Sequence, residues 1–346
     1  LKLGTGLVLL VVLFIATVYR AKLLTRGFFL IGKRDKFIYM QNPAYTERSN
    51  YEIISSLKLK WQFKTKQFFC PLSFLELKFP LMRGVPSLLL VYDDMVFTNS
   101  GNWVYAIQAD TGKQIWRKKP LGGWSRYWIY PTIYSHSFIG ANIKPEYKKD
   151  ANLIFDVYAL DVYSGKERWV KRFPLNYSSV QVAKAYFTNF ENKIILTLSG
   201  ESYPNVLVFN GDTGKLIWEH KLDGHVVPPP ICNRNTLYIL QKSVWEEDTP
   251  VFPALFALDL YNGDTVWKKD LESDPVGLSI EGNKLCLTTE GWLSEGRLHC
   301  YNPTTGVSIW SKQMSKKQAT GAPVIVDKIV YVVDYKNITA FNVEDG

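Results

Sequence analysis

Reactive side chains are scarce in this sequence. Its four cysteines, Cys70, Cys232, Cys286 and Cys300, are scattered with no two adjacent, and its four histidines, His136, His220, His225 and His299, share no ligand spacing. Closely spaced Cys and His pairs are what a structural or catalytic metal needs, so no metal centre can be read here. No Gly-rich phosphate loop, nucleophile elbow or His-Glu-x-x-His stands out, which leaves phosphate-loop, acyl-transfer and zinc-protease chemistry without their motifs. The paired acids Asp93-Asp94 and Glu246-Glu247-Asp248 sit beside turn signals and read as solvated loops. Negative charge is nearly missing from one end. Residues 1–66 hold 12 Lys and Arg against Asp35, Glu47 and Glu52, whereas the remainder carries 29 of each sign. The basic pI of about 9.1 therefore belongs to the N-terminal arm, and the rest of the chain has no footprint for nucleic acid.

What the sequence does have is repetition. Ala106-Ile107-Gln108-Ala109-Asp110-Thr111-Gly112-Lys113-Gln114-Ile115-Trp116 returns as Ala159-Leu160-Asp161 to Gly165 and Trp169, and as Val208-Phe209-Asn210 to Gly214 and Trp218. Ala257-Leu258-Asp259 to Gly263 and Trp267 follows, then Cys300-Tyr301-Asn302 to Gly306 and Trp310, and finally Ala340-Phe341-Asn342 to Gly346. In each complete copy the Trp stands four residues after the Gly. A phrase recurring at roughly 50 residues marks a repeat array.

Alternation such as Tyr158, Leu160 and Val162 suits a strand with two faces. A small polar residue followed by Thr-Gly is turn chemistry, because the polar side chain bonds its own backbone and Gly accepts a positive φ. The segment carrying the Trp is then a second, antiparallel strand. Two further apolar runs precede most copies, as Pro86 to Tyr92 and Met95 to Asn99 do. Four antiparallel strands per period are the unit of a β-propeller blade. With 47% hydrophobic and 14% aromatic residues, there is enough apolar surface for several small cores.

The phrase resembles the repeat of the pyrroloquinoline-quinone-like propeller family, in which Ala-x-Asp-x-x-Thr-Gly-x-x-x-Trp closes each blade, over about residues 57–346. The resemblance implies that each such Trp docks between neighbouring blades, so Trp61, Trp116, Trp169, Trp218, Trp267 and Trp310 are expected to serve the fold. Copies depart from the pattern at Gln108, Val208, Asn262 and Cys300, where looser packing is expected. Trp61, in Leu57 to Phe63, reads as an outer strand without inner strands, and the copy ending at Gly346 reads as inner strands without an outer one. The expected fold is all-β: a six-bladed propeller of four-stranded antiparallel blades, its ring closed by the N-terminal strand. A chain continuing beyond Gly346 would allow a seventh or eighth blade.

Leu3 to Tyr19 is an uncharged apolar run at the short end of what spans a bilayer. It is read as one transmembrane helix, with residues 1–22 as anchor, 23–56 as a basic membrane-proximal linker and 57–346 as the propeller. A secretory signal peptide is the competing reading, for which Ala16-Thr17-Val18 is a poor cleavage site. Arg20, Lys22, Arg26, Lys33 and Arg34 are the candidates for contact with anionic lipid headgroups, worth about 1 kcal/mol per charge. Arg20, Lys22 and Arg26 would place the propeller inside by the positive-inside rule; the resemblance implies the periplasm or another extracytoplasmic space, which is the placement adopted.

Quinoprotein dehydrogenases of the resembled family bind quinone and calcium in the central funnel, and many carry two adjacent cysteines there. This sequence has no such pair, so no cofactor, no metal and no catalytic residue are expected. Cys286 and Cys300 could face each other as a disulfide, with small buried thiols the favoured reading. Trp124, Arg126, Trp128 and Trp245 lie off the phrase and are the candidates for partner contact, since Trp and Arg are enriched at interfaces. The stretches Asn142 to Asp156 and Val244 to Pro253 are expected to project as loops. The functional expectation is a membrane-anchored scaffold that binds other protein subunits of a membrane complex, as a subunit or assembly factor. A quinone-dependent dehydrogenase and a ligand-sensing ectodomain are the rival classes.

Overall fold

The computed structural model describes residues 62–63, 89–100, 103–119, 128–144, 153–175, 184–199, 205–244, 250–290, 296–314, 321–333 and 337–346. Contacts divide the chain into Leu1–Met40 and Gln41–Gly346, and every described residue lies in the second unit. The apolar run, the basic arm from Arg20 to Arg34, the strand around Trp61, and Trp124, Arg126 and Trp245 lie outside the described residues. Among the described residues no helix is long and apolar enough to cross a membrane.

All regular structure described is β. Blade 1 consists of β1 (Leu89–Tyr92), β2 (Met95–Ser100), β3 (Trp103–Gln108) and β4 (Gln114–Lys118). After β5 (Trp128–Tyr130), blade 2 runs through β6 (Thr132–Tyr134), β7 (Ser137–Lys144), β8 (Leu153–Asp161) and β9 (Glu167–Leu175). Blade 3 comprises β10 (Lys184–Phe190), β11 (Lys193–Ser199), β12 (Val206–Asn210) and β13 (Leu216–His220). Blade 4 comprises β14 (His225–Asn233), β15 (Thr236–Lys242), β16 (Ala254–Asp259) and β17 (Thr265–Asp270). Blade 5 is β18 (Pro275–Glu281), β19 (Lys284–Thr289), β20 (Arg297–Tyr301) and β21 (Ser308–Gln313), and blade 6 is β22 (Val324–Val326), β23 (Ile329–Val333) and β24 (Ile338–Asn342). Within each blade, strands consecutive in sequence pair antiparallel. These sheets are β-propeller blades, and the sixth shows three strands among the described residues.

Each pair of consecutive blades encloses its own apolar core. Blade 3 illustrates the logic: Ile194, Leu196 and Leu198 of β11 pack towards blade 2, while Ile195 between them packs towards blade 4. A strand sandwiched on both faces must be apolar at successive positions, which is why β12 reads Val-Leu-Val-Phe. The outermost strands bury little beyond their Trp; β21 is exposed at four of six positions, and Trp310 is the buried one.

Two regions differ from the sequence reading. β5 pairs in parallel with β10, Trp128 opposite Lys184 and Tyr130 opposite Tyr186, so blade 3 gains a fifth strand on its innermost edge. That edge would otherwise leave backbone groups unpaired; Ile129 enters the core between blades 2 and 3, and Tyr130 stacks on Tyr186 with ring centroids 4.1 Å apart. Of the stretch Asn142–Asp156, expected as a loop, the described ends lengthen β7 and β8 instead, pairing Asn142 with Asp156 and Lys144 with Ile154; residues 145–152 lie outside the described residues. Buried Asp156 is held by the Arg172 guanidinium from β9 at 2.8 Å, which fixes the extension. The stretch Val244–Pro253 is pinched at its neck by mutual backbone hydrogen bonds between Val244 and Val251.

Candidate interaction surface

The repeated phrase builds one interlocking joint at every described seam. The indole N–H of Trp116 donates to the Val162 carbonyl of blade 2 at 2.7 Å, and Trp169 does the same to Gly211 at 3.0 Å. Trp218 reaches Leu260, Trp267 reaches Pro303 and Trp310 reaches Val343, each at 3.0 Å. The acceptor is always the residue after the Asp or Asn of the next blade's phrase. Each indole also lies on the next blade's glycine. Gly165, Gly214, Gly263, Gly306 and Gly346 all adopt φ between +67° and +80°, and a Cβ on any of them would collide with the Trp or, at Gly346, also with Lys312. Glycine is therefore required twice, for the backbone and for the space.

Within a blade the Trp pairs across the sheet with the first residue of the phrase, and a β-bulge follows at once: Ala159 opposite Trp169, Ala257 opposite Trp267. Val208 and Cys300, departures from Ala, occupy the same buried seat opposite Trp218 and Trp310. Asn210 Oδ1 accepts from the Thr213 backbone N–H and hydroxyl, the side-chain cap that Asx turns use. Asn262, standing where the other complete copies have Thr or Ser, accepts the Asp264 N–H through its own Oδ1. Gln108 is too long for this cap, and its amide reaches back to Asp94 instead. Packing at these departures is thus conserved by substitution of partners rather than loosened.

On the face where these turns emerge, a second joint appears that the sequence reading missed. Tyr163, two residues after Asp161, donates its hydroxyl to Asp93 Oδ2 of blade 1 at 2.6 Å and lies 3.4 Å from His136 Nδ1 of its own blade. Tyr92 completes the group, 2.7 Å from the same His136 nitrogen. Tyr261, at the equivalent position of blade 4, reaches Glu191 of blade 3 and Asn235 of its own blade, both at 3.4 Å. The Lys193 ammonium sits 4.1 Å over the Tyr261 ring. At two other seams, between blades 2 and 3 and between blades 5 and 6, Tyr134 donates to Asp212 at 3.2 Å, and Lys284 pairs with Glu344 at 2.7 Å. The hydrogen bond to Asp93, with burial and the Asp93 charge added, pushes the Tyr163 phenol up to about 12. Burial works against Asp161, yet hydrogen bonds from Arg168 and Ser164 carry its carboxyl down to about 2. These hydrogen bonds tie the turns of neighbouring blades to one another, which suits a fixed surface. Only an alignment of copies two apart would have exposed Tyr163 and Tyr261 as one device.

Of the expected partner-contact residues, the described one is Trp128, which opens β5 at the inner edge of blade 3. The quinone and calcium that the fold family implies were tested against the residues present. Cys286 and Cys300 are register partners on β19 and β20, with sulfurs 2.7 Å apart, but they lie in the core between blades 5 and 6, and their neighbours there are apolar. They do not form the adjacent pair that would back a quinone, and among the described residues no three His, Cys, Asp or Glu converge.

Comparison with known proteins agrees with the geometry. A relative, the tetrathionate hydrolase of Acidithiobacillus ferrooxidans, is 25% identical over 275 residues, 70% of this chain and 52% of that protein; the chain spans about half the length of the relative it matches. The quinohemoprotein alcohol dehydrogenase of Comamonas testosteroni has the same fold over 75% of this chain and 57% of its own, with a TM-score of 0.51 at 13% identity. BamB from Moraxella catarrhalis aligns over 73% of this chain and 67% of its own, with a TM-score of 0.48 at 11% identity. A family model described as "Outer membrane protein assembly factor BamB" matches residues 155–285 and 253–346, more than half of the chain. With phrase, blades and family model in agreement, the chain belongs to the pyrroloquinoline-quinone-like repeat family to which that model is assigned.

Proposed function

We propose that the chain is a membrane-anchored propeller scaffold that binds protein subunits of a membrane complex, as a subunit or assembly factor. The observation that carries this reading is the employment of its polar side chains. Tyr163, Tyr261, Asp93, Glu191 and His136 are engaged in joints across or within blades, and the result is a surface of hairpin turns whose polar side chains hold neighbouring blades together. The match to an assembly-factor family model supports the same reading. In it, the run Leu3–Tyr19 anchors the propeller, Arg20, Lys22, Arg26, Lys33 and Arg34 rest on anionic headgroups, and the propeller faces an extracytoplasmic space. Trp124, Arg126, Trp128 and Trp245 are its proposed partner contacts.

The test is removal of residues 1–50. The remaining propeller is expected to stay folded, leave the membrane fraction and no longer co-purify with the complex that the full chain brings down from detergent-solubilised membranes. A quinone-dependent dehydrogenase is the second reading, favoured by the fold shared with an alcohol dehydrogenase. Dye-linked alcohol or sugar oxidation by the full chain after reconstitution with quinone and calcium would establish it and overturn the scaffold.

A further inference from the structure

The chain beyond its basic arm is neutral overall, yet its outer rim is charged unevenly. From each phrase turn a stretch of 11 residues runs along the outer strand. In blade 1, over residues 109–119, Lys113, Arg117, Lys118 and Lys119 stand against Asp110 alone. In blade 2, over residues 162–172, Lys166, Arg168, Lys171 and Arg172 stand against Glu167 alone. The equivalent stretches of blades 3 and 4, 211–221 and 260–270, each hold two Lys and two acids, and that of blade 5, 303–313, holds Lys312 as its one charge. Two neighbouring blades therefore carry +3 each, and the next three carry 0, 0 and +1.

These cations are displayed to solvent: Lys118 is half-buried and the other seven are exposed. Arg168 and Arg172 already hold Asp161 at 2.7 Å and Asp156 at 2.8 Å. The remaining six have no carboxylate partner among the described residues, and fixed cations without neutralising acids attract anions. Strand alternation gathers them on one flank. Trp116 of β4 and Val170 of β9 pack on the core between blades 1 and 2, so Lys118 and Arg172, two residues further along, flank that seam from its two sides. Arg117 faces the other way, 4.9 Å over the Trp103 ring. It is the register partner of Tyr105, whose ring meets the Phe63 ring edge-on at 5.7 Å. Phe63 belongs to the arm, residues 1–66, that carries 12 Lys and Arg. The arm therefore meets the propeller where the rim is basic.

We propose that the outer rim of blades 1 and 2 is a second membrane contact, which lays the propeller on anionic lipid headgroups beside its anchor. The identity of the ligand rests on the anchored reading given above. Arm and rim carry the same sign and adjoin at Phe63, so one anionic surface serves both, and basic segments close to a span are drawn to acidic headgroups. The arrangement fits lipid better than a single acidic ligand. Six cations are spread along two outer strands and their turns, and a sheet of headgroup phosphates can take such cations one by one. Attraction of this kind orients a tethered domain and does not retain a soluble one, because stable attachment takes two signals. Loss of the anchor therefore still releases the propeller.

The experiment uses the full chain in vesicles of phosphatidylcholine with about 30% phosphatidylglycerol, with the photo-cross-linker p-benzoylphenylalanine in place of Ile115 or, in a second variant, of Ile217. Each residue directly precedes its phrase Trp, one on blade 1 and one on blade 3, and each is 42% exposed, so the two substitutions burden the fold alike. Lipid adducts after irradiation, counted by mass spectrometry, should be at least roughly fivefold more frequent at 115 than at 217, the weight of about one charge at an anionic surface. The excess should vanish in phosphatidylcholine alone and in about 0.5 M salt, where screening confines the attraction to a few ångströms. Lys119→Gln combined with Lys171→Gln should cut it severalfold. Equal adducts at the two positions, an excess that salt or neutral lipid leaves intact, or adducts at 115 to another protein in cell membranes would overturn the proposal. Flotation of the same vesicles after an alkaline wash reads the anchor separately: a chain that washes off refutes the span, and the adducts formed before the wash still decide the rim.

Discussion

Trp169 of blade 2 lies so closely on Gly214 of blade 3 that a Cβ on that glycine would come within 2.5 Å of the indole Cε3. Gly214 also holds φ at +67°, a conformation that costs an L side chain about 1 kcal/mol. Overpacking a full site adds about 1–3 kcal/mol. Gly214→Ala should therefore destabilise the propeller by about 2–4 kcal/mol. Gly282→Ala is the control, with φ of +58° and nothing within 4 Å; about 1 kcal/mol is expected there. Equal losses in denaturant melts would show that the indole does not fill the space above Gly214.

Trp218→Ala should cost about 3–5 kcal/mol, as removal of a buried large aromatic does, because the ring lies in the core between blades 3 and 4. Trp218→Phe keeps much of the packing and leaves the Leu260 carbonyl without its 3.0 Å donor, a loss of about 1–2 kcal/mol. Trp245→Ala, off the phrase, should change stability little. Thermal melts in the reverse order would make the phrase tryptophans exposed ligand platforms.

The blades were legible because six copies of one phrase report the same local chemistry, and a hairpin with Asx cap, glycine and Trp needs only contiguous residues. The direction of docking was not legible: nothing around Trp169 says that its seat is Gly214 rather than Gly165 of its own blade. The parallel strand β5 escaped for a related reason. Trp128-Ile129-Tyr130 is too short to show a period, and its partner, Lys184 to Tyr186, stands far along the chain. Tyr163 and Tyr261 do not stand out in the sequence because their acids, Asp93 and Glu191, sit in the preceding repeat. Six-blade closure rests on two complementary fragments, the Trp61 strand and the copy ending at Gly346, and Trp61 lies outside the described residues.

Acid should weaken blade 5. Burial, aided by the Arg297 charge and opposed by Glu272, pulls the His299 imidazole down to about 4, against about 6.5 in an unfolded chain. Between those values the unfolded chain binds a proton that the fold refuses, so stability rises with pH across this window. The neutral ring contributes fully above about pH 6.5, and that contribution is lost progressively as pH falls towards 4. The melting temperature should drop between pH 7 and pH 4.5 by more in the native protein than in His299→Gln. Parallel pH profiles would show that His299 is not held neutral.

Cys286 and Cys300 offer a readout of the side of the membrane. The thiol of Cys286 donates to the Cys300 sulfur, and that bond together with burial pushes its pKa up, so alkylation of the folded protein should be slow. Partners on neighbouring strands are within reach of a disulfide, and disulfides persist in oxidising compartments while cytosolic thiols stay reduced. If the propeller is extracytoplasmic, protein denatured without reductant should accept alkylating reagent at Cys70 and Cys232 alone, with the peptide pair around Cys286 and Cys300 lighter by two hydrogens. Closing a loop of this length adds about 3 kcal/mol on the chain-entropy account, so the oxidised form should melt above the reduced one. Labelling of all four cysteines in freshly isolated protein would place the propeller on the reducing side and reverse the orientation proposed for its anchor.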